Sequence, residues 1–212
     1  MSEAMTDWRK ISLRAEGLAS LRGFRLLFRD LDLDAASGSF TALRGPNGSG
    51  KTTLLRILAG LMRPSMGELR WDNTPDEAIH LIGHASALKP FETPRSATDA
   101  FIRLTGLKRK PALTDALLDR VGLGRPADVP VRFLSAGQKK RTLLARLLAV
   151  PRPVWLLDEP FANLDAAGRE LVERLISEQC AKGGIVIAAS HDETGLAPHT
   201  TIDLAEPRSV AA

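Results

Sequence analysis

The stretch Gly45-Pro46-Asn47-Gly48-Ser49-Gly50-Lys51-Thr52-Thr53 constrains this 212-residue chain more than any other. It fits the phosphate-binding pattern G-x-x-x-x-G-K-[ST], entered from apolar Phe40-Thr41-Ala42-Leu43 and left through Leu54-Leu55-Arg56-Ile57-Leu58-Ala59. Glycines let a backbone approach a polyphosphate closely. Successive N–H groups and a helix N-terminus add partial positive charge, Lys51 adds a full one, and the Thr52 hydroxyl is suited to Mg²⁺. A chain of this length shows the bare pattern by chance with a probability of roughly one in a hundred. The strand before it and the helix after it point to a nucleotide triphosphate and to an α/β fold.

Composition adds exclusions. The chain is 44% hydrophobic and 25% charged, which suits a packed globular protein and argues against disorder or a disulfide scaffold. Cys180 is the single cysteine, so no internal disulfide forms, and its expected role is packing on a helix. The net charge of +4 and pI near 9.6 fit a slightly Arg-rich solvated surface as well as an acidic partner. No apolar run approaches the length of a membrane span, and Met1 to Lys10 is polar. The expectation is a soluble, cytoplasmic chain that reaches a membrane only through a partner.

Along the chain, Ile11 to Leu43 alternates in the manner of strands, and Gly67-Glu68-Leu69-Arg70-Trp71 resumes that pattern. These segments read as an antiparallel lobe, about residues 8–44 and 66–72, wrapped around the phosphate loop. Thr52 to Met62 has helical spacing with Leu54, Leu55, Leu58 and Leu61 toward the core. Ser96-Ala97-Thr98-Asp99 reads as a capping box, Leu113 to Val121 as a helix ending at Gly122, and Ser135 as the start of another. Residues of about 93–148 thus read as a helical insertion. Val154-Trp155-Leu156-Leu157 and Ile185-Val186-Ile187-Ala188-Ala189 read as buried strands, the first ending in Asp158-Glu159 and the second in Ser190-His191. Polar residues at strand ends belong at the carboxyl edge of a parallel sheet, where ligands bind in open α/β folds.

That placement gives the polar residues their chemistry. Two carboxylates leaving a dry strand beside a phosphate loop suit Mg²⁺ binding at Asp158 and activation of water at Glu159. Ending the sheet and closing a turn with Pro160 is the plainer role. His191 is placed to meet a γ-phosphate, although a histidine after a strand is more often structural. Ser135 and Gly137 at a helix start can face an anion with hydroxyl, N–H and dipole, or Ser135 can simply cap a helix before the basic turn Lys139-Lys140-Arg141.

Taken in order, Gly45 to Thr53, Leu134-Ser135-Ala136-Gly137-Gln138, Leu156-Leu157-Asp158-Glu159-Pro160, Asn163-Leu164-Asp165 and Ser190-His191 resemble the Walker A, signature, Walker B, D-loop and H-loop motifs of ABC-type ATPases. The resemblance spans about Ile11 to His191. It implies a P-loop NTPase of ABC type: a RecA-like core with an antiparallel β lobe and a helical insertion, as a single domain of about residues 8–205. It also implies a homodimer of nucleotide-binding subunits, in which ATP and Mg²⁺ lie between the phosphate loop of one copy and the signature helix of the other. Ser135 and Gly137 would then touch the γ-phosphate in trans, Asp158 would assist Mg²⁺, Glu159 would be the general base and His191 the γ-phosphate sensor. Many members stack an aromatic ring on adenine, but this chain has no Tyr. Arg22 stands nearest the expected place, with Phe24 second; a guanidinium stacks on a base, and a solvated hairpin arginine is the alternative. The usual Q-loop glutamine is also missing, and His84 or Ser86 would have to stand in for it.

Within the family, Arg22-Gly23-Phe24-Arg25-Leu26-Leu27-Phe28 and Gly83-His84 resemble the ATPases of cytochrome c maturation, the haem exporter type. Those members usually follow the histidine with Gln, where this chain has Ala85. The resemblance implies multi-span membrane subunits as partners, a peripheral position on the cytoplasmic face of the inner membrane, and ATP turnover coupled to haem export or release of a haem chaperone. Another ABC importer or exporter is the alternative, as is a soluble ABC ATPase acting on nucleic acid or ribosomes; no direct nucleic acid contact is expected.

Overall fold

The structure is a computed structural model that describes residues 8–75, 77–83, 88–108, 110–191, 195–205 and 208–209. It divides into two compact units, one of residues 1–83, 152–160 and 173–212, the other of residues 84–151 and 161–172.

The first unit holds two sheets. In the antiparallel one, strands β1 (Ser12–Arg22) and β2 (Arg25–Ala36) form a hairpin closed at Gly23, flanked by β4 (Met66–Asp72) and the short β9 (Arg208–Ser209). Ile11, Leu13 and Ala15 are buried at alternate positions, but the next buried side chain is Leu18, a change of parity. A β-bulge absorbs it. The register shifts between Ala15 and Leu18, and Gly17, at φ +59°, donates its N–H to Asp32 Oδ1 at 2.7 Å.

The second sheet is wholly parallel, in the order β5 (Ile79–Ile82), β6 (Val154–Asp158), β7 (Ile185–Ala189), β3 (Phe40–Arg44), β8 (Thr200–Asp203). Every residue of β6 and β7 is buried, as expected of central parallel strands covered on both faces. Here the sequence expectation needs correction. Phe40–Arg44 does not belong to the antiparallel lobe: it pairs in parallel with β7 and β8. A short apolar run carries no mark of which strand it will pair with.

Helix α1 (Lys51–Leu58) packs on this sheet through Leu54, Leu55, Ile57 and Leu58, each fully buried and worth about 1.5–3 kcal/mol of transfer free energy. It stops earlier than its periodicity suggests. Ala59 caps it, Gly60 turns at φ +72°, and Leu61, expected on the core side, is 67% exposed.

The second unit is helical: α2 (Pro94–Leu104), α3 (Pro111–Arg120), α4 (Ala136–Ala149) and the start of α5 (Ala166–Ala181). The capping box of α2 lies three residues before the expected one. Thr93 and Ser96 cap each other's backbone N–H groups at 3.1 and 2.9 Å, and Pro94 supplies a first helical residue that needs no N–H partner. Asp99 is instead buried and accepts from the Thr114 hydroxyl at 2.8 Å, tying α2 to α3. Helix α3 ends as expected, with Val121 as cap and Gly122 at φ +74°.

Candidate functional site

The parallel register brings three loops to one edge of the sheet. Leu43 of β3 and Asp158 of β6 both lie opposite Ala189 of β7, so residues 45–50, 158–159 and 190–191 leave the sheet side by side.

The loop Gly45–Gly50 needs glycine at its two ends. Gly45 sits at φ +140°, and a Cβ there would fall 2.4 Å from the Leu204 carbonyl oxygen. Gly50, the N-cap of α1, sits at φ +103°, with Leu27 and Phe28 of β2 3.0–3.1 Å from where a Cβ would stand. Between them the Ser49 N–H donates to the Pro46 carbonyl at 3.2 Å, while the Ser49 hydroxyl is buried without a hydrogen-bond partner. Pro46, Asn47 and Gly48 form the turn that exposes the loop backbone, and Thr53 faces inward on the first turn of α1.

Lys51 is 6% exposed. Its Nζ donates to the carbonyls of Gly45 at 2.7 Å and Pro46 at 3.1 Å, and lies 3.0 Å from His191 Nε2. An ammonium only donates, so in this contact His191 Nε2 is the acceptor. Glu159 Oε1 stands 3.4 Å from the same nitrogen, which joins Glu159, His191 and Lys51 in one cluster. Burial pushes the Lys51 pKa below its usual value, against the opposing pull of the Glu159 and Asp158 charges. Glu159 itself adopts φ +51°, and its N–H donates to the Ala189 carbonyl at 2.8 Å. A left-handed non-glycine residue costs of order 1–3 kcal/mol, a strain that turns this carboxylate out of the strand direction.

Thr52 and Asp158 meet: the hydroxyl donates to Asp158 Oδ2 at 2.7 Å, and Asp158 is 2% exposed. These are two hard oxygen donors, the kind Mg²⁺ takes one or two of before completing its shell with phosphate and water. Among the described residues no group of three or more His, Cys, Asp or Glu could hold a metal, so a dedicated protein cage is not what is offered. The residues present fit a Mg²⁺–triphosphate: a buried cation, an unpartnered buried hydroxyl, an exposed loop turn at residues 46–48 and an oxygen pair.

In the helical unit, Ser135 is the N-cap of α4. Its hydroxyl accepts from the Gln138 N–H at 3.1 Å while Gln138 Oε1 accepts from the Ser135 N–H at 2.9 Å. A Cβ at Gly137 would come within 3.1 Å of the Asn163 carbonyl, so the segment before α5 lies directly on the first turn of α4. Arg141 fastens the two, donating to Asp165 Oδ1 at 3.1 Å and to the Val121 carbonyl at 3.2 Å. Asp165 also accepts from the Gly168 N–H at 2.8 Å, and that bond, with Arg141, holds its carboxyl below the usual range.

The structure therefore gathers Gly45–Thr53, Asp158, Glu159 and His191 in one unit and places Ser135 and Gly137 in the other. Arg22 is the exposed last residue of β1, and Phe24, in the hairpin turn, is 76% exposed. His84 and Ser86 lie outside the described residues. Sequence reasoning missed Leu204 and named Leu27 and Phe28 only within a family-like stretch, without the packing role the structure gives them: their atoms define the space around the loop glycines.

A family model described as ABC transporter matches residues 28–162. The chain belongs to the ABC transporter family. It is an ABC ATPase, and ATP is its substrate. A protein of Hyphomonas neptunium called cytochrome c biogenesis ATP-binding export protein CcmA is 49% identical over 183 residues, covering 86% of this chain and 91% of that protein. One of the same name from Aromatoleum aromaticum is 44% identical over 205 residues, covering 92% and 95%. Among solved structures, an ABC transporter ATP-binding protein from Pyrococcus furiosus superposes with a TM-score of 0.80 at 23% identity, over 91% of this ABC ATPase and 97% of that chain. The last likeness carries the fold: an α/β P-loop NTPase with a parallel core, an antiparallel sheet and helices. No helix among the described residues is long and apolar enough to cross a membrane.

Proposed function

We propose that this ABC ATPase powers an export step of cytochrome c biogenesis, acting as a single domain of about residues 8–205 and as a homodimer peripheral to the inner face of the cell membrane, with multi-span membrane subunits as partners. The observation that supports this most is the 49% identity to a cytochrome c biogenesis export protein across nearly the whole chain. Haem, or a haem-loaded chaperone, is the cargo this reading assigns.

In the mechanism, the N–H groups of Asn47, Gly48 and Gly50, with Lys51 and the Thr53 turn, grip the triphosphate, and Arg22, with Phe24 beside it, meets the base. Thr52 and Asp158 would hold Mg²⁺, which would supply neutralisation of the phosphate charge. Lys51 leaves the Gly45 and Pro46 carbonyls for the γ-phosphate. That movement frees His191 Nε2 from the ammonium, and in the tautomer that carries its proton on Nε2 the ring donates to the same phosphate. Glu159, pre-turned by its left-handed backbone, takes the proton of the attacking water. Ser135 retains its hydroxyl hydrogen while capping α4, so hydroxyl and helix dipole, with Gly137, address the γ-phosphate of the other copy.

Glu159→Gln tests the chemistry. ATP binding is retained, steady-state hydrolysis falls about 10²–10⁴-fold, and a dimer accumulates in ATP on size-exclusion chromatography. Unchanged turnover removes Glu159 as the base. Expression of the chain in a bacterium deleted for its own cytochrome c biogenesis ATPase tests the pathway: restored holocytochrome c supports it, and failure by a hydrolytically active chain counts against it.

A further inference from the structure

Helices α2 and α3 are tied together by the bond between Thr114 and Asp99, and they share an apolar cluster of Ile102, Leu117, Ala149 and Val150, with Phe101 packed against it. Both apolar stripes run on past that cluster. Leu104 stands three residues after Phe101 and Leu113 four before Leu117, spacings that keep each pair on one helix face. Leu107 lies in the turn between the helices. None of the three is covered: they are 84%, 46% and 47% exposed for Leu104, Leu113 and Leu107. The turn that presents them is held in shape. Gly106, at φ +73°, donates its N–H to the Arg103 carbonyl at 3.1 Å, and the Thr105 hydroxyl donates to the Ile102 carbonyl at 2.8 Å.

The charge around these leucines has one sign. From Ala100 to Thr114 the sequence holds four basic residues and no acid. Arg103, Lys108 and Lys110 are exposed, and none of them enters an ion pair among the described residues. Arg103 has a plain role, since a cation in the last turn of α2 complements the helix dipole. Lys110 has the opposite placement. It caps the N-terminus of α3, where the dipole favours an anion, and that helix has neither an acid in its first turn nor a side-chain cap bond. The turn is thus a rigid surface of exposed leucines ringed by unpaired cations.

We propose that the α2–α3 turn rests directly on an anionic lipid surface. Leu104, Leu107 and Leu113 enter the boundary between headgroups and acyl chains, while Arg103, Lys108 and Lys110 lay their methylene stems along them and reach lipid phosphates with their charged ends. Charge complementarity and the kind of apolar residue select this occupant together. A single-stranded nucleic acid would be met by aromatic rings on which bases stack, and the apolar side chains here are leucines. A second copy of the same turn would bring like charges together. Near an anionic leaflet each basic side chain contributes about fivefold in affinity, so the three supply roughly 100-fold, a contact that salt screens. The inference goes beyond the reading that membrane subunits hold the chain in place, because this contact needs lipid alone.

The test is flotation of the full chain with protein-free vesicles of equal parts phosphatidylglycerol and phosphatidylcholine, against vesicles of phosphatidylcholine alone. Two variants are compared with the wild type: Leu104→Ser with Leu107→Ser, and Arg103→Ala with Lys108→Ala and Lys110→Ala. A control of equal charge loss, Arg63→Ala with Arg174→Ala and Lys182→Ala, removes three exposed cations of the other unit. The wild type and the control should bind the anionic vesicles, and each turn variant should lose at least tenfold in affinity, with ATP affinity unchanged throughout. Wild-type chain that fails to float overturns the proposal, as does equal binding to phosphatidylcholine alone or a loss in the control matching that of the basic variant. Binding only to vesicles that carry membrane subunits assigns the turn to a protein and also overturns it. Binding to a polyuridine strand that the basic variant loses and the leucine variant keeps, without binding to vesicles, assigns it to nucleic acid with the same effect. None of these failures touches the cytochrome c biogenesis reading, which is decided separately by restored holocytochrome c.

Discussion

Thr52→Val removes one hydroxyl and keeps the shape of the side chain, which makes it the cleanest probe of the Thr52–Asp158 pair. Asp158 is 2% exposed and loses the donor that sits 2.7 Å from its Oδ2. Hydrogen bonds to a charged group contribute about 1.5–3 kcal/mol, and a buried acceptor left alone also pays its desolvation. Without nucleotide the variant should lose about 2 kcal/mol, and at about 2–4 °C per kcal/mol for a chain of this size the melting temperature should fall by about 4–8 °C. Asp158→Asn removes the charge that needs the donor. The double variant should therefore lose less than the sum of the singles, with a coupling of at least about 1 kcal/mol in a thermodynamic cycle read by calorimetry. The same pair is assigned to Mg²⁺. Thr52→Val should accordingly weaken binding of ATP in Mg²⁺ while leaving binding in EDTA nearly unchanged, measured by titration calorimetry. A coupling below about 0.5 kcal/mol refutes the hydrogen bond as an energetic link. Equal loss of ATP affinity with and without Mg²⁺ refutes the metal assignment.

Arg22→Ala should weaken ATP about tenfold, the scale of a cation–π contact, while leaving inorganic triphosphate unaffected in competition assays; equal weakening of both counts against stacking on the base. Gly122→Ala should destabilise by about 1–2 kcal/mol in urea unfolding, because residue 122 sits at φ +74° and a Cβ there meets Arg141 Nη1 at 2.5 Å; an unchanged midpoint means Arg141 moves aside freely. Cys180, whose thiol burial raises to about 11, should alkylate on the order of 100-fold more slowly at pH 8 than an ordinary thiol, with the labelling rate rising through pH 11 rather than pH 9. The sign follows from a folded pKa above the unfolded one: the thiolate is disfavoured only in the folded chain, so denaturant should restore ordinary reactivity.

The parts of the site that were legible in the sequence are those whose chemistry is local. Gly45 to Thr53 announces itself because backbone approach, positive φ and a cation are all demanded within nine residues. The strands carrying Asp158 and His191 are legible because burial on both faces leaves no polar residue until the chain emerges. What stayed hidden depends on pairing between distant segments. Phe40–Arg44 looks like its antiparallel predecessors residue by residue, and only its parallel neighbours β7 and β8 reveal its sheet. Thr93 and Ser96 are both acceptable caps, and Pro94 decides between them by fitting the first helical position. The contact of Lys51 with His191 spans 140 residues, and that of Thr52 with Asp158 spans 106. Neither distance is readable from composition or period, yet both follow once β3, β6 and β7 share one edge in register. The geometry of the candidate site is thus a property of the register. A change that slipped β6 against β7 by two residues would keep the strand's faces and its burial while carrying Asp158 about 6–7 Å from Thr52, so that binding of the metal, rather than folding, would be the first thing lost.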